Sequence, residues 1–167
     1  MTTLFAQPYD LSATGFYFED TEDYAAKAAT AVNSFGHRVE EFEIQLIDSK
    51  PIVAALADAL GLHQGDIPAF FEKIDSWDDH QKRMVIIAAG ECGYQFTWDD
   101  DPDTLDVEIY EMASLCELAE HFVDEGLFGD IPGRLTFYID HDAIARDLSA
   151  DYAETKINRS RLIYRCG

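Results

Sequence analysis

Thirty-three acidic side chains stand against twelve basic ones, a formal net charge of −21, and this excess constrains the chain more than any other feature. A compact body with that charge repels itself, so something must offset the cost or make use of it. A packed core is available as the offset. Hydrophobic residues make up 47% of the 167 and aromatics 13%, well outside the compositions of disordered chains. The excess is also uneven. Lys156, Arg159, Arg161 and Arg165 form a tail without a single acid, which leaves residues 1–155 with 33 acids and 8 bases, or −25. Phosphate is repelled by such a surface, which argues against direct binding to DNA, RNA or an anionic membrane. A basic partner is the natural counterpart.

The cysteines are three, Cys92, Cys116 and Cys166, with no CxxC spacing. They read as free thiols in a reducing compartment. The N-terminal segment has no basic region followed by a long apolar run, and the longest apolar stretch is only Met84–Ala89. A cytoplasmic protein is expected.

Local patterns predict an α+β chain. Leu4–Gln7 and Gly15–Phe18 are short aromatic strands separated by turn-forming residues. Asp20 caps a helix with Asp23 three residues on, and Tyr24, Ala28, Ala31, Val32 and Phe35 recur at helical spacing up to Gly36. Val39–Ile47 alternates, with Phe42, Ile44 and Leu46 on one face and Glu41, Glu43 and Gln45 on the other. Three helices follow: Pro51–Leu60 closed by Gly61, one opened by Asp66-Ile67-Pro68, and Asp78–Ala89 closed by Gly90. Tyr94–Trp98 and Asp106–Tyr110 read as strands joined by the loop Asp99–Asp103. Ser114 and Glu117 form a capping box at the start of an acidic helix that runs to Gly126. Two short helical segments then carry Tyr138-Ile139-Asp140 and Ala145–Leu148, and Leu162–Arg165 closes the chain as a strand.

No catalytic motif emerges. Asp99, Asp101 and Asp103 match the start of a calcium loop, but its sixth position is Thr104 instead of glycine and its twelfth is Tyr110 instead of glutamate. His37, His63, His80, His121 and His141 show no metal-binding spacing, and Cys116 and His121 do not share a helix face well. Neither GxSxG nor a P-loop nor GxGxxG occurs. No catalytic residue, metal or cofactor is expected.

The distribution of the acids says more. They come as Glu19, Asp20, Glu22 and Asp23; as Glu40, Glu41 and Glu43; as Asp75, Asp78 and Asp79; as Asp99, Asp100, Asp101 and Asp103; and as Glu117, Glu120 and Asp124 on the polar side of one helix, with Asp142 beyond. On that helix Leu115, Leu118, Ala119, Phe122 and Val123 form the apolar stripe. Like charges at helical spacing are mildly destabilising, so helix stability does not explain them. Duplex DNA carries one charge per ~1.7 Å of axis, and carboxylates spread over several small units can approach that density.

One stretch makes this reading specific. Leu118-Ala119-Glu120, Phe122-Val123, Glu125-Gly126-Leu127-Phe128-Gly129-Asp130-Ile131-Pro132, Tyr138-Ile139-Asp140 and Ala143–Leu148 resemble the antirestriction motif of the ArdA family. Leu4–Phe18, Val39–Gln45, Gly90-Glu91-Cys92-Gly93-Tyr94 and Tyr164-Arg165 are similar to that family as well, so the resemblance spans nearly the whole chain. It implies a non-enzymatic inhibitor carried by mobile elements, which mimics bent B-form DNA and occupies the DNA groove in the specificity and modification subunits of type I restriction–modification enzymes. It further implies three small domains in an elongated row: 1–48 as a three-stranded sheet plus helix, 49–90 as a helical middle domain, and 91–167 as an α+β domain carrying the motif. A homodimer is implied, with the motif at the dimer contact. In that setting Leu127, Phe128, Ile131 and Pro132 are expected mainly to pack the third domain, and Asp142 to pair with Arg146. The competing readings are an acidic calcium- or magnesium-binding or hydrolytic protein using the Asp99–Asp103 loop, and an acidic chaperone of basic proteins.

Overall fold

The computed structural model describes residues 1–167, and the chain divides into two compact units, Met1–Thr104 and Leu105–Gly167. Each combines helices with one three-stranded antiparallel sheet, so the mixed α/β class expected from the sequence is observed.

In the first unit, strands β1 (Thr3–Pro8), β2 (Phe16–Phe18) and β3 (Phe42–Asp48) lie in the order β2-β1-β3. Period-two alternation turns Leu4, Ala6 and Pro8 inward, opposite Leu46, Ile44 and Phe42 of β3. Thr3 pairs with Asp48 while Leu4 pairs with Leu46, so Ile47 is the extra residue of a bulge and stays half in solvent. Gly15 sits where a Cβ would lie 2.6 Å from the Ala6 carbonyl oxygen, so no larger residue lets the loop run this close to β1.

Helix α1 (Thr21–Thr30) starts at Asp20, whose carboxylate accepts from the Asp23 N–H at 2.7 Å. It buries no residue fully and is tied down by Tyr24, which packs into a cluster with Phe16, Phe18 and Phe42. The helix stops at Thr30, five residues short of the predicted Phe35. The Asn33 side-chain oxygen accepts from the Phe35 and His37 N–H groups at 3.0 and 2.9 Å. That closes a turn through Gly36, at φ 78°, and Val32 bridges to Arg38. An asparagine that satisfies its neighbours' N–H groups competes with the helix, and Phe35 is left in solvent.

Helices α2 (Pro51–Leu60), α3 (Ile67–Ser76) and α4 (Asp79–Gly90) complete this unit. Gly61, at φ 62°, terminates α2 as predicted, and Asp78 and Gln81 cap α4 reciprocally. Gly90 is the last residue of α4 and not its stop signal. A Cβ there would come within 3.3 Å of the Ala59 Cβ, so it lets α4 pass close to α2. Ile52, Val53 and Leu56 of α2, Phe70 of α3 and Met84–Ala88 of α4 form the core. Lys82 is buried among them, and its Nζ donates at 2.7 Å to the carbonyl of Trp77, where α3 ends.

Tyr94–Trp98 is not a strand. Tyr94, Phe96 and Trp98 do turn inward while Gln95 and Thr97 are exposed, but no strand pairs with the run. Side-chain contacts hold it instead: Phe96 and Trp98 pack with Trp77, and the Trp98 indole N–H donates to Asp66 at 2.9 Å.

The second unit runs β4 (Val107–Tyr110), α5 (Leu115–Asp124), a 3-10 segment Gly133–Tyr138, α6 (His141–Leu148), β5 (Ala153–Ile157) and β6 (Ser160–Cys166), with strand order β4-β6-β5. Strand β5 was not expected. Asn158 and Arg159, both at positive φ (48° and 69°), form the two-residue turn joining it to β6. Leu118, Phe122, Tyr152 and Ile163 make the core, with Tyr110, Met112, Leu115 and Leu148 against it. Ser114 caps α5 as predicted, but the Glu117 carboxylate reaches back to the Ala113 N–H (2.9 Å) and not to the cap residue itself. Cys116 is a free thiol, whereas Cys92 and Cys166 are not, which corrects the expectation of three. No helix is long and apolar enough to cross a membrane.

Candidate functional site

None of the 33 carboxylates is buried, and all but Asp10, Asp23 and Asp66 are exposed. Of the eighteen acids singled out from the sequence, only Asp23 is partly covered, where it pairs with Lys27 at 2.7 Å. Many of the acids accept hydrogen bonds from backbone N–H groups. Asp20, Asp78 and Asp140 cap helices. Asp100 accepts from the Thr97 N–H, Asp101 from that of Asp103, and Glu154 from that of Leu115. Asp10 accepts from the Asn33 amide, and from the Ser12 hydroxyl and N–H; these bonds, the Asn33 one foremost, hold its carboxyl below the usual range.

Folding gathers the acids into local groups that sequence order does not show. Glu19, Asp20 and Glu22, at the start of α1, line one open depression of about 680 Å3 with Glu72 and Asp75 of α3. Glu72 was not among the expected residues; only the packing of α1 beside α3 brings it there. Asp103 accepts from the Gln81 side chain (3.0 Å), which places the Asp99–Asp103 loop beside the N-terminal turn of α4 that carries Asp78 and Asp79. Glu40, Glu41 and Glu43 are exposed at the start of β3.

In the second unit, Cys116 reports on a third group. Its thiol donates to Asp142 at 3.4 Å, so the expected Asp142–Arg146 pair is not formed: Asp142 reaches across to α5 and not along α6. That hydrogen bond first, then desolvation, then the charges of Asp142, Glu120 and Glu117 push the thiol pKa up. Asp124 stands exposed at the end of the same helix.

The basic closing segment has two parts. Arg165 is committed: it lies 5.8 Å over the Tyr152 ring and 3.8 Å from Glu108, which also accepts from the Tyr152 hydroxyl. Lys156, Arg159 and Arg161 are exposed on the β5–β6 hairpin, with Lys156 directly opposite Arg161.

The motif residues sit differently from their expected packing role. Gly126 and Gly129 adopt φ 79° and 90°, and this turn carries Leu127 and Phe128 into solvent, 63% and 54% exposed. Glu125, Asp130 and Pro132 are also exposed, and Ile131 is half-buried. Leu135, Phe137 and Tyr138 on the 3-10 segment add to this surface, Phe137 at 93% and Tyr138 at 83%. Leu127 and Phe128 therefore do not fill the core of their own unit. Leu135 and Phe137 escape sequence reasoning because the stretch lacks helical periodicity.

Asp100 and Asp101 accept from N–H groups of their own turn and Asp103 from the Gln81 side chain, and no group of three or more His, Cys, Asp or Glu side chains is arranged to hold a metal ion. Comparison with models of known protein families and with curated proteins gives no match.

Proposed function

We propose that the chain is a DNA-mimicking antirestriction protein of the ArdA type, which inhibits a type I restriction–modification enzyme by occupying the DNA groove of its specificity and modification subunits. The observation that carries this reading is the exposure of all but three of 33 carboxylates on an otherwise well-packed fold. A like-charged surface on this scale costs stability through self-repulsion. A basic groove supplies the missing counter-charge and accepts the acids where phosphates would sit. The action is occupancy, not catalysis. Three small domains in an elongated row, bounded near residues 49 and 90, belong to the same proposal. So does a homodimer that covers the exposed apolar residues Leu127, Phe128, Leu135, Phe137 and Tyr138.

Charge neutralisation tests the reading. Single changes such as Glu120→Gln leave inhibition close to wild type, because many acids share the contact. Changing Glu19, Asp20, Glu22, Glu72 and Asp75 together to their amides keeps size and helix caps but removes one whole group, and inhibition weakens strongly. One carboxylate whose loss alone abolishes inhibition would point to a discrete active site instead.

A further inference from the structure

Charge mimicry makes no use of a cleft at the aromatic end of the first unit. The cleft encloses about 320 Å3 and is lined by Leu60 at the end of α2, His63 and Asp66 of the turn before α3, and Phe96, Thr97 and Trp98 of the unpaired run. That volume lies at the small end of ligand sites, ~300–1,000 Å3, and suits one long side chain better than a chain segment. Phe96 and Trp98 stand two residues apart in the run, and both are half-buried. Their rings are held in place. The buried Trp77 stacks on Trp98 with 21° between the planes and meets Phe96 at 73°, and Phe70 meets Trp98 at 76°. The Trp98 indole N–H donates to one oxygen of Asp66 at 2.9 Å, and the His63 N–H to the other at 2.8 Å. Both donors are neutral and no lysine or arginine pairs with Asp66, so its charge has no counter-charge and each oxygen keeps a lone pair. Asp100 accepts from the Thr97 N–H at 2.7 Å, which sets a second carboxylate beside the cleft. No lysine or arginine lines it. The same aromatic group already holds one cation, because Lys73 Nζ lies 5.9 Å over the Trp77 ring.

We propose that this cleft takes the guanidinium of an arginine presented by a basic partner protein. A guanidinium is planar; it stacks on aromatic rings and matches the fork of a carboxylate. Phe96, Trp98 and Asp66 bring both kinds of contact to one small cleft. A net charge of −21 draws basic partners toward it. Exposed carboxylates attract lysine and arginine alike, whereas an aromatic wall favours the planar cation. The inference does not depend on DNA mimicry, and it holds or fails whatever enzyme the chain inhibits.

The test uses the full chain and three tripeptides with blocked ends, glycine–X–glycine, in which X is arginine, citrulline or lysine. Citrulline keeps the shape of arginine and lacks its charge. NMR titration gives affinity and location together. Trp77 and Trp98 are the only two tryptophans, so a Trp98→Phe sample assigns both indole N–H signals. The arginine peptide binds about tenfold more tightly than the citrulline peptide, the weight of one well-placed cation–π contact, and severalfold more tightly than the lysine peptide. The Trp98 indole signal shifts as the cleft fills. Phe96→Leu keeps an apolar side chain but removes a ring, and it weakens arginine binding severalfold and abolishes the preference over lysine. Should that variant fail to fold, Asp100→Asn, which keeps an acceptor for the Thr97 N–H, weakens arginine binding severalfold. Equal affinity for the arginine and citrulline peptides would overturn the proposal. So would equal affinity for the arginine and lysine peptides, or a Trp98 indole signal unmoved at saturation.

Discussion

Cys116 is a probe of the acidic surface built into the chain. Asp142 accepts a hydrogen bond from it, the site is partly desolvated, and Glu120 and Glu117 add their charges, so the thiol pKa is raised and the thiolate is scarce at neutral pH. Alkylation by iodoacetamide is therefore slow at pH 7, and its pH profile lies to the alkaline side of that of a free cysteine peptide. Asp142→Asn removes a charge and the strongest acceptor; the profile moves back toward lower pH and the rate at pH 7 rises. Lys82 is a residue of the opposite kind, whose value lies in burial. Lys82→Ala leaves the Trp77 carbonyl without its partner, and urea melts should show a loss of about 1–3 kcal/mol. Signals that act within one turn of chain were legible in the sequence: the caps at Asp20 and Ser114, the stop at Gly61. Lys82 was not, because nothing local distinguishes a lysine of α4 whose side chain folding buries against the end of α3. Asn33 was missed for a related reason: the apolar spacing from Tyr24 to Phe35 hid a side chain that closes its own turn.

The β5–β6 hairpin shows how an element escapes a pattern search. Strand β5 reads Ala-Glu-Thr-Lys-Ile, with one buried apolar residue, Ile157, and an arginine at positive φ in its turn. Its strand character comes from pairing with β6, not from its own alternation. Tyr94–Trp98 is the reverse case: the alternation is visible, but no partner strand is there to make it a ladder. In the hairpin Lys156 faces Arg161, a like-charge pair of the kind that destabilises a sheet. Arg161→Glu converts it to an attractive pair, and thermal melts should show stabilisation of about 0.2–1 kcal/mol. The 3-10 segment and the turn before it make the complementary prediction. Phe128→Asp with Phe137→Asp changes only outward side chains, so the circular dichroism spectrum is retained while sedimentation velocity reports loss of self-association. An unchanged sedimentation coefficient in a dimeric parent would remove this surface from the dimer contact.

For the whole molecule, the charge total was legible and its arrangement was not. Composition and clustering show that the acids are many and spread from end to end. That Glu72 joins Glu19, Asp20, Glu22 and Asp75, or that Glu117, Glu120 and Asp142 meet around Cys116, depends on which helices pack together. Self-repulsion among exposed acids predicts that the melting temperature rises as salt is added from low ionic strength, since screening relieves the folded state most. The same screening weakens attraction to a basic groove. The central claim is therefore tested by displacement of a labelled duplex, carrying the recognition site, from a type I restriction–modification enzyme, with the purified chain titrated in over a series of salt concentrations. The chain should release the duplex in competition, with an inhibition constant that weakens steadily as salt rises. A duplex that stays bound at saturating protein, or displacement indifferent to salt, would contradict it.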